Sequence, residues 1–182
     1  MWGCARPGAT AERRQTPGQD GAIIRSRSFL IHPLPLAPFR PLFALDDAGL
    51  EAMGARRMIA DAPNSAPCRV SLADAAPGEA LILLTHRHLD APASPYRSDG
   101  PIFVRETASE AALGPDEVPD MLGRRLLSVR AYDSGAMMID ADVVDGADLA
   151  VRLNLWFSDS VIDRIQMHTA RRGCFMAEAR RA

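Results

Sequence analysis

A histidine and a cysteine near the C-terminal end are the residues whose types could do chemistry together. His168 and Cys174 flank the segment TARRG, which contains an arginine pair and a glycine. Cysteine is a nucleophile as the thiolate, and a neighbouring base and positive charge favour that form. The segment is also typical of a β-turn between two antiparallel strands, with Cys174 packed as a small apolar side chain. The spacing is compatible with a thiol enzyme and with a structural turn.

Arginine side chains suggest a second candidate, a site for an anionic small molecule. A guanidinium can bind a carboxylate or a phosphate through two parallel hydrogen bonds, and a glycine beside it lets the backbone approach a ligand. All 21 basic residues are arginine, so an arginine at the surface is not by itself the sign of a site. The arginines in or beside predicted strands are Arg69, Arg105, Arg130, Arg164, Arg171 and Arg172.

A tyrosine in a predicted loop could cover such a site. The segment from His86 to Gly100 is polar and contains prolines, which predicts a loop. Its Tyr96 could lie over a pocket beside the sheet, or it could fold back against the core of a compact surface loop. The predicted ligand-binding residues are then Arg171, Arg172, Arg69, Cys68, Tyr96 and Arg105, beside the predicted catalytic pair.

Metal and cofactor chemistry finds little support. Zinc needs three or four ligands, and no CxxC, HxxxH or HExxH spacing is present. The absence of lysine excludes a Schiff base and a P-loop lysine. The side chains of a possible zinc site are Cys68, His86, His88, His168 and Cys174. Because their spacing matches no zinc motif, we predict neither a metal nor a cofactor.

Composition indicates one globular domain. The chain has 182 residues, 47% of them hydrophobic, and a net charge of -2. This charge gives no general attraction to nucleic acid or to anionic membranes. Three cysteines are few and odd in number, which favours free thiols and a cytoplasmic location. Residues 1–22 are interpreted as a disordered tail or a wrongly assigned start, and residues 23–182 as the domain.

The pattern of short strands and turns predicts an α+β fold, with a mostly antiparallel sheet and a few short helices packed on one face. A hairpin over residues 126–144 is predicted around the three-residue loop Asp133-Ser134-Gly135, which pairs Tyr132 with Ala136. That register places the side chains of Met137, Ile139, Ala141 and Val143 on the apolar face. Asp140 and Asp142 share the other face, as a possible acid–base pair or as a hydrated edge, with Asp140 able to pair with Arg130.

Five segments together resemble a known family. They are FRPLFAL from Phe39, CRVSL from Cys68, SPYRSDGPIFVR from Ser94, LLSVRAYDSGAMMIDAD from Leu126 and HTARRGC from His168. In this order they are similar to a bacterial family known as domain of unknown function 1203. The resemblance implies a small bacterial protein and brings no activity with it.

Two functions of different classes follow from these patterns. The first is a small-molecule-binding or enzymatic domain, whose site lies on the polar side of the sheet near His168, Arg171, Arg172 and Cys174. The motivation is that polar residues recur on one face of the predicted strands while the opposite face is apolar. The alternative is a non-catalytic protein-interaction or structural domain, since no strong catalytic spacing is present.

Overall fold

The structure, a computed structural model, describes residues 28–182. The predicted tail at residues 1–22 lies outside this range. The strands are β1 Phe29–His32, β2 Arg56–Ile59, β3 Pro67–Cys68, β4 Ala73–Asp74, β5 Ala80–Leu89, β6 Ser98–Arg105, β7 Leu126–Tyr132, β8 Met138–Asp145, β9 Arg164–Thr169 and β10 Phe175–Arg181. The helices are α1 Arg40–Phe43, α2 Asp47–Ala52, α3 Asp120–Gly123 and α4 Leu149–Phe157, the last preceded by a 3-10 turn over Gly146–Asp148.

These elements form two sheets of five strands each, where one sheet was predicted. The first sheet has the order β1-β10-β9-β7-β8, and the second has the order β2-β5-β6-β3-β4. Neighbouring strands are antiparallel except for β3 and β6, which are parallel. The helices are divided between the sheets, because α2 contacts β2 while α4 contacts β1 and β8. The fold is therefore mixed α+β and mostly β.

The first sheet has one apolar face, and helices cover it. Strand alternation places Leu127, Val129 and Met167 on this face, where all three are fully buried. They belong to one core cluster with Leu153 and Phe157 of α4. None of the helices within residues 28–182 is long and apolar enough to cross a lipid bilayer.

The opposite, polar face of the first sheet is covered by the second sheet. Gln166 and His168 alternate with Ile165 and Met167 along β9, as predicted, yet both polar side chains are fully buried. An aromatic side chain of β10 takes part in this contact, since the ring of Phe175 is stacked on that of His88 from β5 at 5.0 Å. The polar side of the sheet is thus an interior layer.

The hairpin of β7 and β8 has a different register from the predicted one. Tyr132 pairs with Met138, and Ala136, at φ +58°, is the residue in the left-handed region. The carboxylate of Asp133 accepts a hydrogen bond from the N–H of Met137 at 2.9 Å, which stabilises a longer turn. The predicted apolar face of β8 is therefore wrong, and all four of its members are exposed: Ala141, Met137 at 41%, Ile139 at 43% and Val143 at 60%.

The register also corrects the interpretation of the hairpin carboxylates. Arg130 pairs with Ala141, so the side chains of Arg130 and Asp140 lie on opposite faces. Asp142 forms an ion pair with Arg152 of α4 at 2.7 Å. The predicted pairing of Arg130 with Asp140 is wrong.

Local sequence signals account for both ends of α2. The carboxylate of Asp46 accepts a hydrogen bond from the N–H of Gly49 at 2.8 Å, as expected for an N-cap of α2. Gly54 follows the helix with φ +69°. The predicted loop at 86–100 is shorter than expected, because β5 continues to Leu89 and β6 begins at Ser98. His86 and His88 are consequently strand residues.

Candidate functional site

A cavity of about 650 Å³ lies where the β9–β10 turn of the first sheet meets strands and loops of the second. We call it the arginine cavity. Its lining is Met58, Ile59, Ala60, Asp61, Asn64, Ser65, Ala66, Pro67, Arg69, Leu81, Phe103, Arg124, Arg125, Leu126, Thr169, Ala170, Arg171, Arg172 and Cys174.

Arg69 is the buried cation of this cavity, with a side chain held in a fixed direction. The residue is only 2% exposed. Its Nε donates a hydrogen bond to the carbonyl of Phe175 at 2.8 Å, and its Nη1 donates to the carbonyl of Pro67. Within residues 28–182, no carboxylate forms an ion pair with it, and no protein acceptor bonds its Nη2.

The charge state of Arg69 follows from its burial. Loss of hydration lowers the pKa of the guanidinium to about 10, with Cys174 and Cys68 acting in the opposite direction. A group with this pKa is still protonated at neutral pH. The cavity therefore contains a permanent, largely dehydrated positive charge.

The β9–β10 turn presents two more cations. Gly173 takes φ +71°, and its N–H donates to the carbonyl of Thr169 at 2.8 Å, which closes the turn. Thr169 also accepts the N–H of Cys174 on its hydroxyl at 3.2 Å. This places Arg171 and Arg172, both exposed and without an ion pair within the described part of the chain, at the cavity wall.

The remaining two arginines of the lining are already neutralised. Arg124 pairs with Asp120 at 3.1 Å. Arg125 binds both carboxylate oxygens of Asp74, at 2.5 and 3.0 Å. The acidic residue of the lining is Asp61. The local balance is positive because no carboxylate of residues 28–182 forms an ion pair with Arg69, Arg171 or Arg172.

The predicted catalytic pair is divided between two environments. The thiol of Cys174 lies in the cavity lining, 4.0 Å from the carbonyl oxygen of Arg172. His168 is fully buried outside that lining, with Nδ1 3.0 Å from the carbonyl oxygen of Gly173, and its Nε2 has no hydrogen-bond partner within residues 28–182. No hydrogen bond joins His168 to Cys174.

The electrostatics of His168 differ from those of an ordinary general base. Burial, followed by the positive charge of Arg130, lowers the pKa of the imidazole to about 3. The ring is neutral at pH 7, and it is enclosed by protein. Base catalysis on a thiol by His168 stays a prediction, since the geometry supplies no direct path.

Three other predicted ligand-binding residues lie away from the cavity lining. Cys68 is fully buried, and its sulfur accepts hydrogen bonds from the N–H groups of Ser71 and Arg105 at 3.5 and 3.4 Å. The guanidinium of Arg105 pairs with Glu79 at 2.6 Å. Tyr96 is 39% exposed, and its ring lies edge-on to Tyr132 at 6.3 Å.

The sequence analysis did not identify the lining residues that come from β2 and from the segment before β7. Arg124 and Arg125 had a visible signal, a second arginine pair directly before a strand. Met58 and Ile59 had none, because nothing in a four-residue strand of two arginines and two apolar residues indicates that it will border a cavity. Within the described residues, no three His, Cys, Asp or Glu side chains come together in a group that could hold a metal ion.

A family model described as protein of unknown function (DUF1203) matches residues 65–181. The chain belongs to the DUF1203 family. No curated protein and no solved structure matches the chain. The matched residues of this DUF1203 protein include Arg69 and the whole β9–β10 turn, whereas β2, which contributes the apolar wall of the cavity, precedes the match. Family membership gives the protein no activity, so its function has to be argued from the cavity.

Proposed function

We propose that the arginine cavity binds a small anionic molecule. The observation that carries this proposal is Arg69, a buried guanidinium that has no carboxylate partner among the described residues. A buried charge without a partner costs several kcal/mol of solvation, roughly, and proteins normally pair such charges. Two backbone carbonyls satisfy part of its hydrogen-bonding capacity and none of its charge. A bound anion would supply the missing counter-charge.

The surrounding residues suit the same ligand. Arg171 and Arg172 lie on a turn that is fixed by the hydrogen bonds of Gly173 and Thr169. Their guanidinium groups are therefore held at the cavity before an anion binds. Three guanidinium groups in the lining of one cavity can bind a carboxylate or a phosphate through several charge-assisted hydrogen bonds. The volume of about 650 Å³ lies inside the range of about 300–1,000 Å³ found for sites of small organic ligands.

The site supports binding more directly than catalysis. A thiol lies against the cavity at Cys174, but its predicted base points into the protein interior. We therefore propose a ligand-binding domain and keep thiol catalysis as a separate hypothesis. The alternative of a structural or interaction domain predicts that no small anion binds. A bacterial origin and a cytoplasmic location remain proposals supported by the composition and by the free thiols of Cys68 and Cys174.

The test is isothermal titration of phosphate, pyrophosphate, malonate and benzoate at constant ionic strength. At least one anion should bind the wild-type protein. Because a hydrogen bond to a charged group contributes about 1.5–3 kcal/mol, the double substitution R171Q/R172Q should weaken binding at least tenfold. Arg69→Met should weaken it further.

The matched control is Arg40→Gln, which removes an exposed arginine of α1 that has no ion pair within the described residues and does not line the cavity. This variant should bind as the wild type does. Equal weakening by R40Q and R171Q/R172Q would show nonspecific charge attraction. Absence of binding by all four anions would favour the structural or interaction domain.

A further inference from the structure

Part of the lining of the arginine cavity, an apolar wall of Met58, Ile59 and Leu126, is exposed to solvent. Ile59 is 58% exposed, Met58 37% and Leu126 52%, and all three line the arginine cavity. Leu81 and Phe103 lie in the same lining. The three exposed side chains belong to none of the hydrophobic clusters formed by the described residues. They are therefore apolar surface that the core does not use.

The topology explains why these side chains meet at one place. Met58 and Ile59 are on β2, the outer strand of the second sheet, and Leu126 is the first residue of β7 in the first sheet. Isolated exposed apolar side chains are common, but a group converging from two sheets on one cavity is characteristic of a binding surface. The lining of the cavity thus combines cations with an exposed apolar group of side chains.

We propose that the ligand of the arginine cavity is an amphipathic organic acid, with one anionic group and an apolar alkyl or aryl body. This inference rests on the proposed function and narrows its ligand class. The anionic group binds Arg69, Arg171 and Arg172, while the body covers Ile59, Met58 and Leu126. A bare inorganic anion would occupy a small part of about 650 Å³ and would leave the apolar wall in water.

The test is a homologous series of straight-chain carboxylates from acetate to decanoate, titrated calorimetrically below their micelle concentrations. Each methylene removed from water contributes enough hydrophobic free energy for about a fourfold gain in affinity, so affinity should rise about fourfold per methylene while the chain is covered. Phosphate and acetate should bind more weakly than the longest acid that fits. The rise should stop at the chain length that fills the cavity.

Variants on the two walls separate the two parts of the inference. The double substitution I59T/L126T should reduce the gain per methylene while leaving the affinity for acetate nearly unchanged. R171Q/R172Q should weaken every acid by a similar factor and leave the gain per methylene unchanged. Val143→Thr is the control, since Val143 is 60% exposed on another outer strand and does not line the cavity.

Each outcome has a distinct meaning. An affinity that does not change with chain length, yet falls in R171Q/R172Q, would overturn the amphipathic ligand and leave the anion site standing. A chain-length effect that is insensitive to the arginines would overturn the anion site itself. A gain per methylene that I59T/L126T and V143T reduce equally would show that the apolar wall of the cavity is not the surface covered.

Discussion

Two polar regions adjoin the interface of the sheets, and their polar groups are satisfied to different degrees. The first is the buried polar network, defined as His88, Gln166, His168 and Glu178. The amide oxygen Oε1 of Gln166 lies 3.1 Å from Nδ1 of His88. The Nε2 of the same amide donates to the carbonyl of His88 at 2.7 Å and to the carboxylate of Glu178 at 3.1 Å. The second is the arginine cavity, in which Arg69 has no carboxylate partner within the described chain.

This difference separates a structural role from a binding role. Gln166 joins β9 of the first sheet to β5 of the second, and most of the polar groups around it have partners inside the protein. Such a network specifies how two sheets pack, because a buried polar group without its partner is costly. In the arginine cavity, by contrast, three guanidinium groups form no ion pair within the described chain, those of Arg69, Arg171 and Arg172. Polarity alone therefore does not mark a site, whereas the unpaired charge beside the cavity supports the proposed one.

Thiol labelling should give the largest contrast between the buried interior and the cavity. Cys174 is partly exposed in the cavity lining, while Cys68 is fully buried and can react only when the protein opens. With Cys4 replaced by serine, native protein at pH 8 should label at Cys174 at least about 100-fold faster than at Cys68 with iodoacetamide, as read by peptide mass spectrometry.

The charge of the reagent makes this experiment a probe of the arginines. Negatively charged iodoacetate should react with Cys174 faster, relative to iodoacetamide, than it does with the denatured protein, and added salt should remove the advantage. R171Q/R172Q should reduce that advantage as well. Comparable native rates for the two cysteines would contradict the assignment of Cys174 alone to the cavity.

Loss of the network amide should have a large effect on stability and a small one on binding. Gln166→Leu leaves the Nδ1 atom and carbonyl of His88 without their shared partner. Since each buried group left unsatisfied costs about 1–3 kcal/mol, the free energy of unfolding should fall by about 2–4 kcal/mol in urea denaturation. Anion affinity of the folded variant should be unchanged.

The control for this prediction is Arg171→Gln, an exposed substitution in the cavity that should change the free energy of unfolding by less than about 0.5 kcal/mol. It should weaken anion binding, the reverse of the pattern for Gln166→Leu. If both variants lost stability equally, the distinction between network and cavity would fail.

Part of this arrangement could be predicted from the sequence, because it depends on local rules. The cap at Asp46, the positive φ at Gly54 and the alternation of Gln166 and His168 with apolar residues on β9 all follow from neighbours in the chain. The turn between His168 and Cys174 was also predictable from its glycine. These features bring Arg171, Arg172 and Cys174 together regardless of what packs against them.

The rest depends on contacts between distant segments. Alternation shows which residues share a face, but it does not show whether water or a second sheet covers that face, so the burial of Gln166 and His168 was not predictable. Cys68 is the last residue of β3 and Arg69 is the first residue of the turn after it, and the sequence does not show that the first is enclosed while the second lines the cavity. The predicted hairpin register was wrong because the side chain of Asp133 stabilises a longer turn than the three-residue loop predicted from Gly135.

The pH dependence of stability should give the smallest effect and is specific to the network. Burial and the charge of Arg130 lower the pKa of His168 to about 3, while the unfolded chain has a histidine pKa of about 6.5. The unfolded state therefore binds a proton that the native state excludes. The stabilisation by neutral His168 is complete above pH about 6.5, and it is lost as the pH falls towards about 3.

At pH 5.5 this loss amounts to about 1.4 kcal/mol from the one residue. Burial also lowers the pKa values of His86 and His88, so both add to acid sensitivity in the same direction. Urea denaturation of the wild type and His168→Gln between pH 5 and pH 8 should show a shallower pH dependence for the variant. His32→Gln, at an exposed position, serves as the control for the loss of one histidine. A His168→Gln profile parallel to that of the wild type would mean that His168 takes up its proton in the folded protein, which would return it to consideration as a base.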